Sequence, residues 1–140
     1  MTGRASVLVV AVLSMVASAC GSDGSTTSPS VAPGPRLAST ATVTIGAPRD
    51  GQTIRDPAVD VRIGLEGGRL VDLTTTDVRP DEGHLHVTLD DQLVSMTGEL
   101  RQTLPDLEAG LHVLKVEFVA ADHLPFDPRV IAAVAFTVAP

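Results

Sequence analysis

LHVLKVEFV, residues 111–119, is the stretch that decides the expected fold of this 140-residue chain. Leu114, Val116 and Phe118 alternate in it with charged residues. Because successive side chains of a β-strand point to opposite faces, this period of two predicts a strand with one buried face and one face in water. No window of the sequence has the sustained apolar spacing of an amphipathic helix. The stretch therefore indicates a half-buried β-strand.

The same alternation recurs along residues 41–140. The other alternating stretches are ATVTIGAP, AVDVRIGLEGG, HLHVTLD and VIAAVAFTV, which begin at residues 41, 58, 84 and 130. Turn-forming sequences rich in Gly, Pro and Asp separate them, among them PRDGQ and RPDEG. About seven short strands without crossover helices predict an all-β fold, namely a single antiparallel β-sandwich.

The order of these stretches resembles that of bacterial immunoglobulin-like (Ig-like) domains. PRDGQTI, residues 48–54, resembles their bent first strand, and LPDLEAGLHVLKVEFVAAD, residues 104–122, resembles the region that leads into the strand called F. GHLHVTLDD and GLHVLKVEFVAADHLPF also resemble small secreted bacterial domains of unknown function with an Ig-like or copper-carrier-like sandwich. The resemblance covers residues 41–140 and implies an Ig-like β-sandwich domain.

A targeting segment precedes this domain. Arg4 is followed by an apolar run, residues 7–16, which has the length of a signal-peptide core. The run is shorter than the roughly 20 apolar residues that span a bilayer. Three small residues then lead into Cys20, and this pattern resembles the lipobox of bacterial lipoproteins. The resemblance implies a lipoprotein signal peptide at residues 1–19, cleavage before Cys20 and lipidation of its thiol.

Residues 20–40 are expected to comprise the lipidated Cys20 and a flexible tether rich in Ser, Thr, Gly and Pro. Cys20 is the only cysteine of the chain, so it has no intramolecular disulfide partner. Lipidation accounts for an unpaired cysteine in a secreted protein. The alternative is an ordinary secretory signal with a chance cysteine. The expected location is the cell membrane, lipid-anchored at its extracytoplasmic face.

Three of the four histidines form a candidate metal site. His84 and His86 share one face of a predicted strand, since they are two residues apart. In an Ig-like topology the loop carrying His123 returns to the start of that strand. His84, His86 and His123 are therefore candidate ligands of Cu or Zn, with Glu117 or Asp122 nearby. The alternative is that His84 and His86 are solvent-facing and that His123 closes a loop.

His112 is expected to have a structural role. Its position in the alternation matches that of Leu114, so it should face inward. It lies about 20 Å from the end of the sandwich that carries His84, at ~3.3 Å per residue. Its place resembles the tyrosine corner, where a polar side chain bonds the backbone across a turn. His112 is therefore excluded from the metal site.

Composition narrows the classes of function. The net charge is −7 and Lys and Arg form no runs, so nucleic acid is not an expected partner. The absence of Trp and Tyr argues against surfaces that stack on bases or sugars. The sequence contains neither a serine nucleophile elbow nor a glycine-rich phosphate loop. We therefore expect that the protein is not an enzyme. We also expect no cofactor other than Cu or Zn at the candidate metal site.

The expected function is a binding or scaffolding module at the cell envelope, with the membrane bound through the lipid anchor. An envelope protein is the candidate partner, because Val113, Val119, Ala133 and Ala135 are expected to form an apolar outer face. The alternative function is an extracytoplasmic copper or zinc carrier or sensor that uses the histidine cluster.

Overall fold

The structure is a computed structural model that describes residues 34–140. The predicted signal peptide and Cys20 lie outside the described residues. Every regular element in residues 34–140 is a β-strand. The strands are β1 (Thr42–Ala47), β2 (Thr53–Ile54), β3 (Val59–Glu66), β4 (Arg69–Leu70), β5 (Glu82–Leu89), β6 (Gln92–Thr97), β7 (Arg101–Leu104), β8 (Gly110–Ala120) and β9 (Pro125–Val138). β2 and β4 have two residues each, and the other strands number seven, as predicted.

These strands form two facing sheets. One sheet has the order β1-β3-β7, and the other has the order β2-β9-β8-β5-β4, with β6 paired to β5. β1 pairs antiparallel with β3, whereas β2 pairs parallel with β9, so the first strand passes from one sheet to the other. This is the bent first strand predicted from PRDGQTI. The strand order is that of an Ig-like β-sandwich, and the predicted fold class is confirmed.

The core lies between the two sheets and consists of the inward residues of each alternating stretch. Phe118, Phe126 and Phe136 are all at most 2% exposed, and the rings of Phe118 and Phe126 stack at 5.5 Å. With no Trp or Tyr in the chain, these three rings are the largest apolar side chains available. The aliphatic part of the core comes mainly from β3, β5 and β8 (Val59, Val61, Ile63, Leu85, Val87, Leu89, Leu114 and Val116).

The segment between β4 and β5 covers one end of the larger sheet. The backbone N–H of Val71 donates to Gly83 of β5 at 3.0 Å, and that of Thr75 donates to Ala121, just beyond β8, at 3.1 Å. This covering segment, residues 71–75, therefore crosses the ends of both strands. It contains no strand in the structure, and no alternation in the sequence marks it.

No helix in the described part of the chain is long and apolar enough to cross a membrane. The predicted apolar outer face needs one correction. Val113 is 46% exposed and Ala133 is exposed, but Val119 is only 1% exposed. Alternation places Val119 on the outer side of β8, opposite His84. It is buried because it lies at the end of the sheet that the covering segment crosses.

Candidate functional site

His84 and His86 lie on β5, on either side of Leu85, which is fully buried in the core. Both histidines therefore belong to the outer side of the larger sheet. β5 pairs with β8, so His86 stands directly opposite Glu117. The pairing of β5 with β8 therefore determines the positions of both histidines.

His123 reaches the same place from the loop between β8 and β9. Its backbone N–H donates to the carbonyl of Ala120 at 2.8 Å, which closes a tight turn. The turn gives His123 a positive φ of 61°, a left-handed conformation that His adopts more readily than most residues with a side chain. This conformation directs the ring back over the end of β5.

The structure brings the three predicted histidines together. The His84 and His123 rings are stacked, with centroids 4.2 Å apart and an interplanar angle of 4°. The His86 and His123 centroids are 5.7 Å apart, and His86 Nε2 lies 3.4 Å from His123 Nδ1. The other nitrogen of His123, Nε2, lies 3.0 Å from Thr74 Oγ1 of the covering segment. The His123 ring is thus held between β5 and the covering segment.

His84 is 6% exposed, and its Nε2 has no hydrogen-bond partner among residues 34–140. The alternative that both histidines of HLH are solvent-facing is therefore wrong for His84. An unpaired buried polar atom costs about 1–3 kcal/mol, so a bound ligand that engaged this nitrogen would remove a penalty already present in the fold.

The surroundings favour neutral imidazoles at this end of the sandwich. Burial is the main reason that the pKa of His84 is lowered, and the neighbouring His123 lowers it further. Burial and His123 also lower the pKa of His86, although the carboxylate of Glu117 opposes them. A neutral imidazole keeps the lone pair that a metal ion requires.

The two carboxylates predicted to lie near the site are each engaged by an arginine. Arg129 donates from Nε to Glu117 at 2.7 Å and makes a second bond to the same carboxylate, which is 8% exposed. Arg36 donates from both terminal nitrogens to Asp122, at 2.7 and 2.9 Å, and so holds the pKa of Asp122 below its usual range. These ion pairs make Glu117 and Asp122 less available than the imidazoles as ligands of a metal ion.

A cavity of about 320 Å³ opens beside the histidines. It is lined by Val71, Asp72, Thr74, His84, Met96, Thr97, Gly98 and His123. The contributions of Asp72, Thr74 and Met96 were missed by sequence reasoning. Asp72 and Thr74 belong to the covering segment, which has no periodic pattern, and the position of Met96 depends on how β6 pairs with β5.

In residues 34–140 no three His, Cys, Asp or Glu side chains are already arranged to hold a metal ion. Two of the imidazoles come close to such an arrangement. Nitrogens bound to one tetrahedral zinc at 2.0–2.1 Å are roughly 3.3–3.4 Å apart, and His86 Nε2 and His123 Nδ1 are 3.4 Å apart. The ring of His84 is parallel to that of His123, so their in-plane lone pairs cannot meet at one point. Rotation of the His84 ring would be needed for a third ligand.

His112 lies at the opposite end of β8, with its side chain only 12% exposed. Its Nδ1 lies 2.7 Å from the Asp90 carboxylate, and its Nε2 lies 2.8 Å from the backbone carbonyl of Glu108. Its ring also contacts that of Phe136, with centroids 5.6 Å apart. The backbone contact spans the turn before β8, as a tyrosine corner does.

No protein-family model matches the chain. No curated protein matches it. Among solved structures, the chain is similar to the fibronectin(III)-like modules of Clostridium thermocellum CbhA, with 12% identity and a TM-score of 0.46 over 70% of this chain and 96% of that one. It is also similar to the PKD domain of human KIAA0319, with 21% identity and a TM-score of 0.43 over 86% and 93% of the two chains. Independently of these likenesses, the strand order of its two sheets makes the described domain an Ig-like β-sandwich.

Proposed function

We propose that the protein is a lipid-anchored binding module of the cell envelope and that its domain binds a copper or zinc ion through His84, His86 and His123. The observation that carries the metal proposal is the distance of 3.4 Å between His86 Nε2 and His123 Nδ1. This distance is long for a hydrogen bond between the two rings, and it matches the distance between two ligands of one tetrahedral ion.

His84 is the third ligand in this proposal. Its unpaired Nε2 is the only histidine nitrogen among residues 34–140 that is both buried and without a partner. Stacking against His123 keeps the ring within reach of the other two imidazoles. A change in the ring torsion of His84, without movement of β5, would turn its lone pair toward the His86–His123 pair. The cavity beside it provides room for this rotation and for a fourth ligand.

Calorimetric titration of the purified full chain with Zn(II) and Cu(II) tests this function. The Cys20→Ser background removes the only thiol of the chain, which could otherwise bind metal. The double variant His86→Gln/His123→Asn should lose affinity by about tenfold or more, since loss of a supporting group alone costs 10–100-fold in metal sites. Asn tolerates the left-handed backbone of position 123, so the turn should persist.

The matched control is His112→Gln, which removes one imidazole at the other end of the sandwich and should leave metal affinity unchanged. Binding that survives the double variant would contradict the assigned ligands. A wild-type chain that takes up neither metal near neutral pH would contradict the metal function altogether.

A second candidate function is the docking of an envelope protein, and a specific observation favours it. Leu111 is 71% exposed, Val113 is 46% exposed and Ile131 is 41% exposed, all on the outer side of β8 and β9. Ala133 is exposed beside them. A group of exposed apolar residues on one sheet face favours a protein interaction surface.

Site-specific photo-crosslinking in intact cells tests this docking. A crosslinking residue at Leu111 should give one discrete adduct, and Ile131→Lys should abolish it. The control is the same residue at Thr44, which is exposed on β1 of the other sheet. An adduct pattern that does not differ between the two positions would contradict a partner on the β8–β9 face.

A further inference from the structure

We infer that the thioether of Met96 is a further ligand of the proposed metal site and that it makes the site selective for Cu(I) over Zn(II). The inference rests on the proposed function, because it needs the imidazoles of His86 and His123 as partners. It assigns a role to a residue that the sequence pattern did not single out.

Strand pairing places Met96 beside the histidines. β6 runs antiparallel to β5, and Met96 is the residue directly opposite His86. Residues opposite each other in an antiparallel pair have Cβ atoms about 4.5–5.5 Å apart and point to the same face. Met96 therefore shares the outer side of the sheet with His86, whereas its neighbour Thr97 stands opposite the buried Leu85.

The cavity joins Met96 to the other two histidines. Met96, His84 and His123 all contribute to its lining. Met96 is 60% exposed, so its side chain is not held in the core and is free to change rotamer. Three rotatable bonds give a methionine sulfur the reach to approach an ion held by residues on the next strand.

The remaining donors define which metal the site prefers. Glu117 and Asp122, the acidic residues next to His86 and His123, are each engaged by an arginine. Imidazoles and a thioether are softer donors than carboxylates, and Asp72 is the one carboxylate among the lining residues of the cavity. Thioethers select Cu(I), whereas protein zinc is bound by thiolates, imidazoles and carboxylates. Two or three imidazoles without Met96 would serve zinc equally well.

Met96 is also the only methionine among the described residues, since the other two are Met1 and Met15. Its methyl group therefore gives an NMR signal that can be assigned by its absence from Met96→Leu. The experiment uses the full chain in the Cys20→Ser background under anaerobic conditions. Cu(I), supplied from a chelating dye, and Zn(II) are titrated separately, with the methyl signal and the affinity recorded for each.

We expect Cu(I) to shift the Met96 methyl signal and Met96→Leu to weaken Cu(I) binding by about tenfold or more, with little change for Zn(II). The matched control is the swap Met96→Leu/Leu111→Met. It keeps the composition and moves the thioether to Leu111, which is 71% exposed and lies next to His112 at the other end of β8. The swap should bind Cu(I) as weakly as Met96→Leu does.

Cu(I) affinity that is equal in wild type, Met96→Leu and the swap would overturn the inference, as would an unshifted methyl signal. In those cases Zn(II) binding that still depends on His86 and His123 would leave the proposed function standing. A wild-type chain that binds neither Zn(II) nor Cu(I) would instead overturn the proposed function and, with it, the role of Met96.

Discussion

At the scale of single residues, His112 has a hydrogen-bond partner at each of its two ring nitrogens. Both of its ring nitrogens face acceptors, namely the carbonyl oxygen of Glu108 and the carboxylate of Asp90. Only a protonated imidazole can donate from both nitrogens at once. The bond to Glu108 and then the bond to Asp90 accordingly raise the pKa of His112. His112 therefore ties the turn before β8 to the turn after β5.

We predict that His112→Ala lowers the free energy of unfolding by about 1–3 kcal/mol, because it leaves a cavity and removes the donors on which Asp90 and Glu108 depend. Denaturant unfolding measures the change. Asp90→Asn is the matched control. It keeps an acceptor for the N–H of Val113 but removes the charge near the ring, so it separates the loss of the charge from the loss of the imidazole. A His112→Ala chain as stable as the wild type would contradict the structural role.

The raised pKa also predicts a pH dependence. An imidazole titrates near 6.5 in the unfolded chain, and in the folded chain the pKa of His112 lies above that value. Its contribution to stability is therefore fully present below about pH 6.5 and is lost as the pH rises through the folded pKa. The difference in unfolding free energy between wild type and His112→Ala should be larger at about pH 5.5 than at about pH 9. A difference in unfolding free energy that increased with pH would contradict this prediction.

At the scale of strands, the approach of β5 to β8 depends on Gly83. A Cβ atom at this position would lie 1.8 Å from the carbonyl oxygen of Val119, which is backbone and cannot move away easily. The glycine of GHLH therefore lets β8 come close enough to place its following loop, with His123, over His84. The packing of β5 against β8 therefore requires glycine at position 83, independently of any ligand of the histidines.

We predict that Gly83→Ala forces the ends of β5 and β8 apart and destabilises the domain by about 1–3 kcal/mol, as overpacking generally does. Gly46→Ala on β1 is the matched control, since the added methyl would meet its nearest atom at 3.7 Å, an ordinary contact. Thermal unfolding of the two variants should differ clearly. Equal melting temperatures would show that the two strands have room to adjust.

At the scale of the whole molecule, the contacts of the domain extend into the residues assigned to the tether. Arg36 bonds Asp122 and the backbone carbonyl of Pro125, and the N–H of Asp127 donates to Leu37. The N–H of Thr40 donates to Pro80 at 3.1 Å. Residues 36–40 are thus fastened to the sandwich, close to the loop that carries His123.

Membrane anchoring is tested by Cys20→Ser. If Cys20 carries the lipid, the variant should leave the membrane fraction or accumulate as an uncleaved precursor, because two or more acyl chains are needed for stable attachment. Fractionation with metabolic labelling by a radioactive fatty acid measures both outcomes. A mature, membrane-bound Cys20→Ser protein would contradict the lipoprotein assignment.

The sequence by itself determined the strands and their buried faces. Leu114, Val116 and Phe118 were predicted to face inward, and all three are fully buried. This was possible because the direction of a strand side chain depends on local backbone geometry, so adjacent residues carry the information. The Ig-like order of the strands, which places β5 beside β8, was implied by the resemblance of the sequence to Ig-like domains.

Only the tertiary structure decided which outward residues are shielded from water and which donors remain free. Alternation places His84 and Val119 on the outer side, yet both are buried at the end crossed by the covering segment. The register shift between Val87 and Thr88 sets which residues of β6 face outward, and so places Met96 opposite His86. Arg36 and Arg129, from other parts of the chain, engage the carboxylates of Asp122 and Glu117. Shielding and pairing arise between segments far apart in the chain, whereas alternation is a property of neighbouring residues.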